Sequence, residues 1–202
     1  MSGNHTVAAI DCGTNSIRLL IASAGSDGRL VEQARELELV RLGEGVDATG
    51  AFRPDALERT FAACRSFAAM VEQHDCDQVR FVATSAARDV SNRNAFFAGV
   101  RQALGVDAEV IDGTEEARLS FAGAMSGVQV SDEPVLVIDC GGGSTELVLG
   151  RGTGIDSQVS INIGSVRLRE RFLHDDPPTV EQIDAARKYV RETLASCPVD
   201  VA

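Results

Sequence analysis

The chain is predicted to be an α/β protein made of two related halves, each with its own sheet, and three observations carry that expectation. Three strand-like segments near the start give way to helices and strands, and the same pattern begins again later in the chain. Residues 10–22 (IDCGTNSIRLLIA) and 138–150 (IDCGGGSTELVLG) align at one offset of 128 with six identities in thirteen, the unusual Asp-Cys-Gly among them. A strand, glycine-bearing turn and strand repeated in this way predicts two lobes that each offer one loop to a ligand cleft. The length of 202 residues and the hydrophobic content of 44% are ample for a real core. The expected division is 1–127 for the first lobe and 128–202 for the second.

In chain order, Val7 to Asp11, Ser16 to Ala22 and Leu30 to Leu42 read as strands of an antiparallel meander. A helix is predicted from Pro54 to about His74, where Leu57, Phe61, Cys64, Ala68 and Val71 recur at helical spacing and Pro54 suits the first helical position. A strand from Val79 to Ala83, a helix from about Arg93 to Leu104 and a strand from Ala108 to Ile111 follow. The next helix, Thr114 to about Met125, opens on Asp112 to Glu115 (DGTE), which resembles a capping box. Strands Val135 to Asp139, Thr145 to Leu149 and Gln158 to Ile163 make a second meander. After the breaker pair Pro177 and Pro178, Thr179 and Gln182 box the start of a helix that runs to about Ala195. The second half is therefore expected to be incomplete, with too few helices to cover its last meander, which predicts poor solubility or self-association.

Composition narrows the function classes. A net charge of -11 argues against general binding to duplex nucleic acid, which calls for a basic surface, so an anionic ligand must be held locally. Lys188 is the only lysine, and nearly all positive charge is arginine. No apolar run is long enough to span a membrane and the N-terminus lacks a signal-peptide pattern, so the expected location is the cytoplasm. Five cysteines without a CxxC motif and three scattered histidines suggest reduced thiols and no zinc box. Cys12 and Cys140 read as matched core positions on paired strands.

The loop chemistry points to phosphate. Glycine carries no Cβ, so successive amides of Gly13, Thr14, Asn15 and Ser16 in one loop, and of Gly141, Gly142, Gly143, Ser144 and Thr145 in the other, can converge on an anion, with hydroxyl donors from Thr14, Ser16, Ser144 and Thr145. Asp139 and Glu146 do not welcome a phosphate themselves; they suit Mg²⁺, bound directly or through water, and Asp11 offers the same chemistry from the first loop. Arg18 stands where Glu146 does in the repeat. Neither loop is a Walker or Rossmann fingerprint, because the Gly-Lys-Ser/Thr element is absent and strands follow the turns. A tight hairpin of unusual geometry is the competing explanation of the glycines.

DCGTNSIRLLIA, FVATSAARDVSNRNAF (81–96), DGTEEARLSFAG (112–123), VIDCGGGSTELVLG (137–150) and INIGSVRLRERF (161–172) together resemble, in this order, the bacterial exopolyphosphatase and guanosine pentaphosphate phosphohydrolase family. The resemblance implies the fold of actin, sugar kinases and heat-shock chaperone ATPases, with two ribonuclease-H-like lobes, the second of them incomplete in this chain. It also implies Mg²⁺-assisted release of terminal phosphate, by in-line attack of water, from polyphosphate or from guanosine pentaphosphate (pppGpp). Carried over by motif, the catalytic glutamate falls on Glu116, in the first turn of a helix whose dipole keeps a carboxylate ionised. Its neighbour Glu115 reads as a capping and dipole-compensating residue. Arg88 and Asn92 match the family's arginine and asparagine after the ATSA-type strand end, Arg18 is a further phosphate ligand, and Arg167 is a weaker candidate that reads as a structural partner. The family frequently dimerises, which makes a homodimer one expectation and leaves the oligomeric state open. Two other readings stay open on the sequence: a kinase of the same fold, and a phosphate- or nucleotide-binding regulatory module or inactive fragment.

Overall fold

The computed structural model describes residues 5–25, 29–88, 90–128 and 133–199, and the chain divides into two compact units, Met1–Val110 and Ile111–Ala202. In the first, β1 (Thr6–Cys12), β2 (Ser16–Ala24) and β3 (Leu30–Leu39) form the expected meander. Next come α1 (Val46–Thr49), α2 (Pro54–Gln73), β4 (Gln78–Ala83), α3 (Ser85–Arg88), α4 (Arg93–Leu104) and β5 (Ala108–Val110). β4 and β5 join in parallel beside β1, giving the order β3-β2-β1-β4-β5, and each parallel step is reached through helical crossovers as parallel pairing requires.

β1 is an interior strand, and Ala8, Ile10 and Cys12 on its inner face are buried with Ile17, Leu19 and Ile21 of β2. Phe96 of α4 sits at the centre of an aromatic group, 5.5 Å from Phe52 and 6.1 Å from Phe81 between ring centroids; a ring buried this fully contributes about 1.5–3 kcal/mol. The buried stripe of α2 runs through Leu57, Thr60, Cys64 and Phe67, rotated from the expected one. Phe61 faces α4 instead, where Gly99 leaves it room: a Cβ at Gly99 would lie 2.1 Å from the Phe61 ring.

The second unit contains α5 (Gly113–Met125), β6 (Val135–Cys140), β7 (Thr145–Arg151), β8 (Gly154–Ile161), α6 (Ser165–Phe172) and α7 (Val180–Leu194), with the sheet order β6-β7-β8. Helix α5, which the sequence reading grouped with residues 1–127, packs across all three strands of this sheet. Its stripe Ala117, Phe121, Met125 closes a small core on Val148, Val135, Val137 and Ile155; helical periodicity reveals an apolar face but not the sheet that receives it. The fit is tight at Gly150, where a Cβ would lie 2.6 Å from the Phe121 ring.

The sequence repeat is a structural repeat. Asp11 faces Arg18 and Cys12 faces Ile17 across β1 and β2, while Asp139 faces Glu146 and Cys140 faces Thr145 across β6 and β7, every residue displaced by 128. The irregularities in pairing with the third strand, at Ile21/Ala22 and at Leu149/Gly150, keep the same displacement. β3 ends at Leu39, short of the expected Leu42, because Arg41 takes a left-handed conformation (φ 50°) and the chain turns back onto the first loop. The sequence reading passed over α6: SVRLRERF alternates apolar and charged residues like a strand, and what makes it a helix is a contact with the second loop.

Cys140 departs from its expected place. Cys12 is buried, but Cys140 is exposed, as is Ile138, the counterpart of the buried Ile10, at 56% of its surface. Among the described residues β6 is an edge strand paired only with β7, whereas β1 is paired on both edges, with β2 and β4. Of the described helices, none is long and apolar enough to cross a membrane.

Candidate active site: two wired loops and a row of carboxylates

Both glycine loops are held in the same way. Each closes with an amide-to-carbonyl bond of 2.9 Å, Gly13 to Ser16 in the first and Gly141 to Ser144 in the second. In the first loop the Thr14 carbonyl accepts from the Gly43 amide (2.8 Å) and the Asn15 carbonyl from Val40 and Arg41 (3.1 and 2.9 Å). In the second the Gly141 carbonyl accepts from Ser165 (3.0 Å) and the Gly142 carbonyl from Val166 and Arg167 (2.9 and 3.2 Å). The Gly143 carbonyl accepts from Arg167 Nε at 2.9 Å. The donors that α6 would leave unsatisfied at its N-terminus are thus used on the loop.

This wiring has a chemical consequence. With the carbonyls tied to the segment after the third strand, the amides of Thr14, Asn15, Gly142 and Gly143 are left without a hydrogen-bond partner among the described residues. Consecutive amides without acceptors form a concavity suited to an anion. The approach that fastens each loop leaves little room for a Cβ: one on Gly164 would lie 2.3 Å from the Gly142 carbonyl, and one on Gly43 would lie 2.2 Å from Thr14 Cγ2. The first loop also buries the Thr14 hydroxyl without a partner, an arrangement that ordinarily costs about 1–3 kcal/mol.

In the second unit, Asp139, Glu146 and Ser160 stand side by side across β6, β7 and β8. Ser160 Oγ donates to Glu146 Oε1 at 2.7 Å, and Ser120 Oγ of α5 donates to Asp139 Oδ2 at 2.6 Å. Glu146 is almost wholly buried, at 1% exposure. Glu116 is half-buried in the first turn of α5, one helical turn before Ser120, and Asp112 caps that helix by accepting from the Glu115 amide at 2.8 Å. Glu115 is committed to a two-point ion pair with Arg118, both contacts 2.7 Å, which separates its role from that of Glu116.

Several candidates turn out to serve the fold. Asn92 uses both ends of its amide on the Phe52 backbone, accepting from the amide at 2.9 Å and donating to the carbonyl at 2.8 Å. The Thr145 hydroxyl is buried and donates to the Ile163 carbonyl at 2.6 Å. Both were expected to touch phosphate; these bonds commit the Thr145 hydroxyl proton and one of the two Asn92 amide hydrogens to the fold. Arg18 lies 3.6 Å from Asp11, its cross-strand partner, in an exposed pair; such a pair contributes about 0–1 kcal/mol and yields readily to a stronger anion. Arg88 ends α3, half-buried. Sequence reasoning missed Gly43, Gly164, Ser120 and Ser160; the glycines had a signal, since each follows a third strand at a similar distance.

The donors near the loops are oxygens, which suit a hard cation such as Mg²⁺. No group of three or more His, Cys, Asp or Glu side chains among the described residues is assembled to hold a metal. The residues fit an ion that keeps most of its coordination for water and phosphate, the ordinary habit of Mg²⁺.

Residues 21–202 match the Ppx/GppA phosphatase family. The chain belongs to that family. Exopolyphosphatase 2 of Mycobacterium tuberculosis is 53% identical over 196 residues, covering 93% of this chain and 61% of that protein. A bifunctional 3-dehydroquinate synthase/phosphatase of Fusobacterium nucleatum is 36% identical over 201 residues, or 95% of this chain and 30% of that protein. Among solved structures, an exopolyphosphatase-like protein superposes with a TM-score of 0.89 at 50% identity, covering 95% of this chain and 61% of its own. An exopolyphosphatase from Cytophaga hutchinsonii gives 0.88 at 32% identity, with 94% and 61% covered. The chain therefore spans about 61% of these exopolyphosphatase relatives. Its α/β fold with a mixed sheet is that of the Ppx/GppA exopolyphosphatases, which have the actin-like ATPase fold.

Proposed function

We propose that this chain carries the phosphate-binding and water-activating parts of a hydrolase that releases terminal orthophosphate from inorganic polyphosphate, with guanosine pentaphosphate as a second substrate bearing the same terminal bond. One observation carries the reading: in both halves of the repeat the loop carbonyls are tied back and consecutive amides are left for an anion. These neutral donors bind phosphate oxygens locally on a protein of net charge -11. Glu116 accepts a proton from water as the water oxygen attacks the terminal phosphorus in line. The bond from that phosphorus to the bridging oxygen breaks, and the chain leaves one phosphate shorter. Charge gathering on the transferred group is met by loop amides, and Arg18 and Arg88 are the first unit's candidates for contacts to phosphate. In the second unit Asp139 and Glu146 are the candidate holders of Mg²⁺, which when bound would neutralise phosphate charge, and Asp11 offers the same chemistry in the first unit. The family context favours polyphosphate, because relatives that share half the sequence are named exopolyphosphatases; a cytoplasmic location and a homodimer are further parts of this proposal.

The test is phosphate release from polyphosphate of varied length and from guanosine pentaphosphate, with Mg²⁺ titrated, using the parent and Glu116→Gln. The proposal expects release by the parent and a loss of roughly 100-fold or more in the variant, in the range of general-base removal. Equal rates in the two proteins would overturn the role of Glu116. Transfer of phosphate from ATP to a small acceptor would instead identify a kinase, and binding without turnover a regulatory module.

A further inference from the structure

Two serine hydroxyls hold the two carboxylates that face each other beside the second loop. Ser120 Oγ reaches Asp139 Oδ2 at 2.6 Å and Ser160 Oγ reaches Glu146 Oε1 at 2.7 Å. The two acids are direct cross-strand partners, and Ser160 is the next residue in the same row. Ser120 comes from a different layer: it descends from α5, whose Ala117 and Phe121 are buried against the sheet. It also follows Glu116 by four residues, so the two lie on one face of the helix. We infer that Ser120 and Ser160 are positioning residues for the phosphate-releasing reaction: Ser120 fixes one oxygen of the exposed Asp139 and so sets the direction of the other, and Ser160 holds the buried Glu146 in place beside it. Ser120 also makes α5 a strut that ties the position of Glu116 to that of Asp139.

The chemistry supports more than a packing role. A hydroxyl donating to a carboxylate makes one of the stronger protein hydrogen bonds, and short O–H···O⁻ distances such as these are its mark. Groups that hold an oxygen ligand from behind commonly change metal affinity or activity by about 10- to 100-fold when removed. Both bonds lie within the second unit and need nothing from the first.

This inference rests on the proposed function, and its test separates the two. Ser120→Ala and Ser120→Thr are compared with the parent by phosphate release from polyphosphate, by Mn²⁺ affinity measured from the electron paramagnetic resonance of the free ion, and by thermal melting. The expected result for Ser120→Ala is a kcat lower by about tenfold with KM for polyphosphate little changed, and weaker Mn²⁺ binding, both largely restored in Ser120→Thr, which keeps the hydroxyl. Ser160→Ala should weaken Mn²⁺ binding in the same sense. Parent-like kcat and Mn²⁺ affinity in Ser120→Ala would overturn the inference while leaving the hydrolase intact. So would losses that follow the melting temperature and are not recovered by threonine. A parent whose Mn²⁺ binding weakens in Ser120→Ala but that releases no phosphate would sink the hydrolase reading and keep the positioning of Asp139; a parent that binds no Mn²⁺ and ignores the Ser120 change would sink both.

Discussion

The hairpins β1–β2 and β6–β7 share register, bulge and loop closure, yet they differ in what surrounds them and in the side chains they present. The first is the middle of a five-stranded sheet, and Ile10 and Cys12 are 1% exposed. The second begins a three-stranded sheet, and the matching Ile138 and Cys140 face outward. At the loop mouth the first pairs Asp11 with Arg18, and the second sets Asp139 opposite Glu146. Duplication has therefore kept the backbone wiring that exposes amides and varied the side chains around it. The part held constant is the set of unpartnered amides, and the part that varies sets a carboxylate–guanidinium pair beside one loop and two carboxylates beside the other.

Mutations at matched positions can break or sharpen that contrast. The largest difference is expected in the core: Ile10→Ala should cost about 2–5 kcal/mol in chemical denaturation, whereas Ile138→Ala should stay within about 0.5 kcal/mol, as surface changes do. Equal costs would mean that β6 is covered in solution. At the glycines that fasten the loops, Gly164→Ala pushes a Cβ into backbone atoms and should cost about 1–3 kcal/mol together with phosphate binding. Gly43→Ala meets chiefly the end of the Thr14 side chain, which can turn aside, so its loss should be the smaller of the two.

The thiols give a gentler test. Burial pushes Cys64 up to about 12 and Cys12 well above its usual value. Both shifts are upward relative to the unfolded chain, so the stability they carry is complete below about pH 9 and is lost as pH climbs from there toward 12. Melting temperature measured across that range should fall, and Cys64→Ala should flatten the fall. Alkylation of the native protein at pH 8 perturbs least of all: Cys140 should label while Cys12 stays protected, and mass spectrometry of the peptides reports both.

The sequence made the local elements readable because each has a local cause. Pro54 at the start of α2, Asp112 capping α5 and the Thr179/Gln182 box of α7 all act within one turn, and the expected helices stand where these signals put them. The repeat made both loops readable before any coordinate. What stayed hidden depends on distant partners. Asn92 could not be seen to clamp Phe52, forty residues away, nor Thr145 to hold Ile163. The exposure of Cys140 depends on what covers its face of the sheet, and α6 is tied to loop carbonyls that accept its first donors. Ser120 looked like one more small residue in a helix because only the fold brings Asp139 beneath it.

The central claim is that both loops, wired alike, receive phosphate through their unpartnered amides. Amide chemical shifts of the ¹⁵N-labelled protein, followed as tripolyphosphate is added with Mg²⁺, test it most directly. The account predicts saturable shifts at Thr14 and Asn15 and at Gly142 and Gly143, with Gly105 and Gly152, which lie in turns elsewhere, unmoved. Shifts at one loop alone, or at neither while Gly105 and Gly152 respond as strongly, would contradict it.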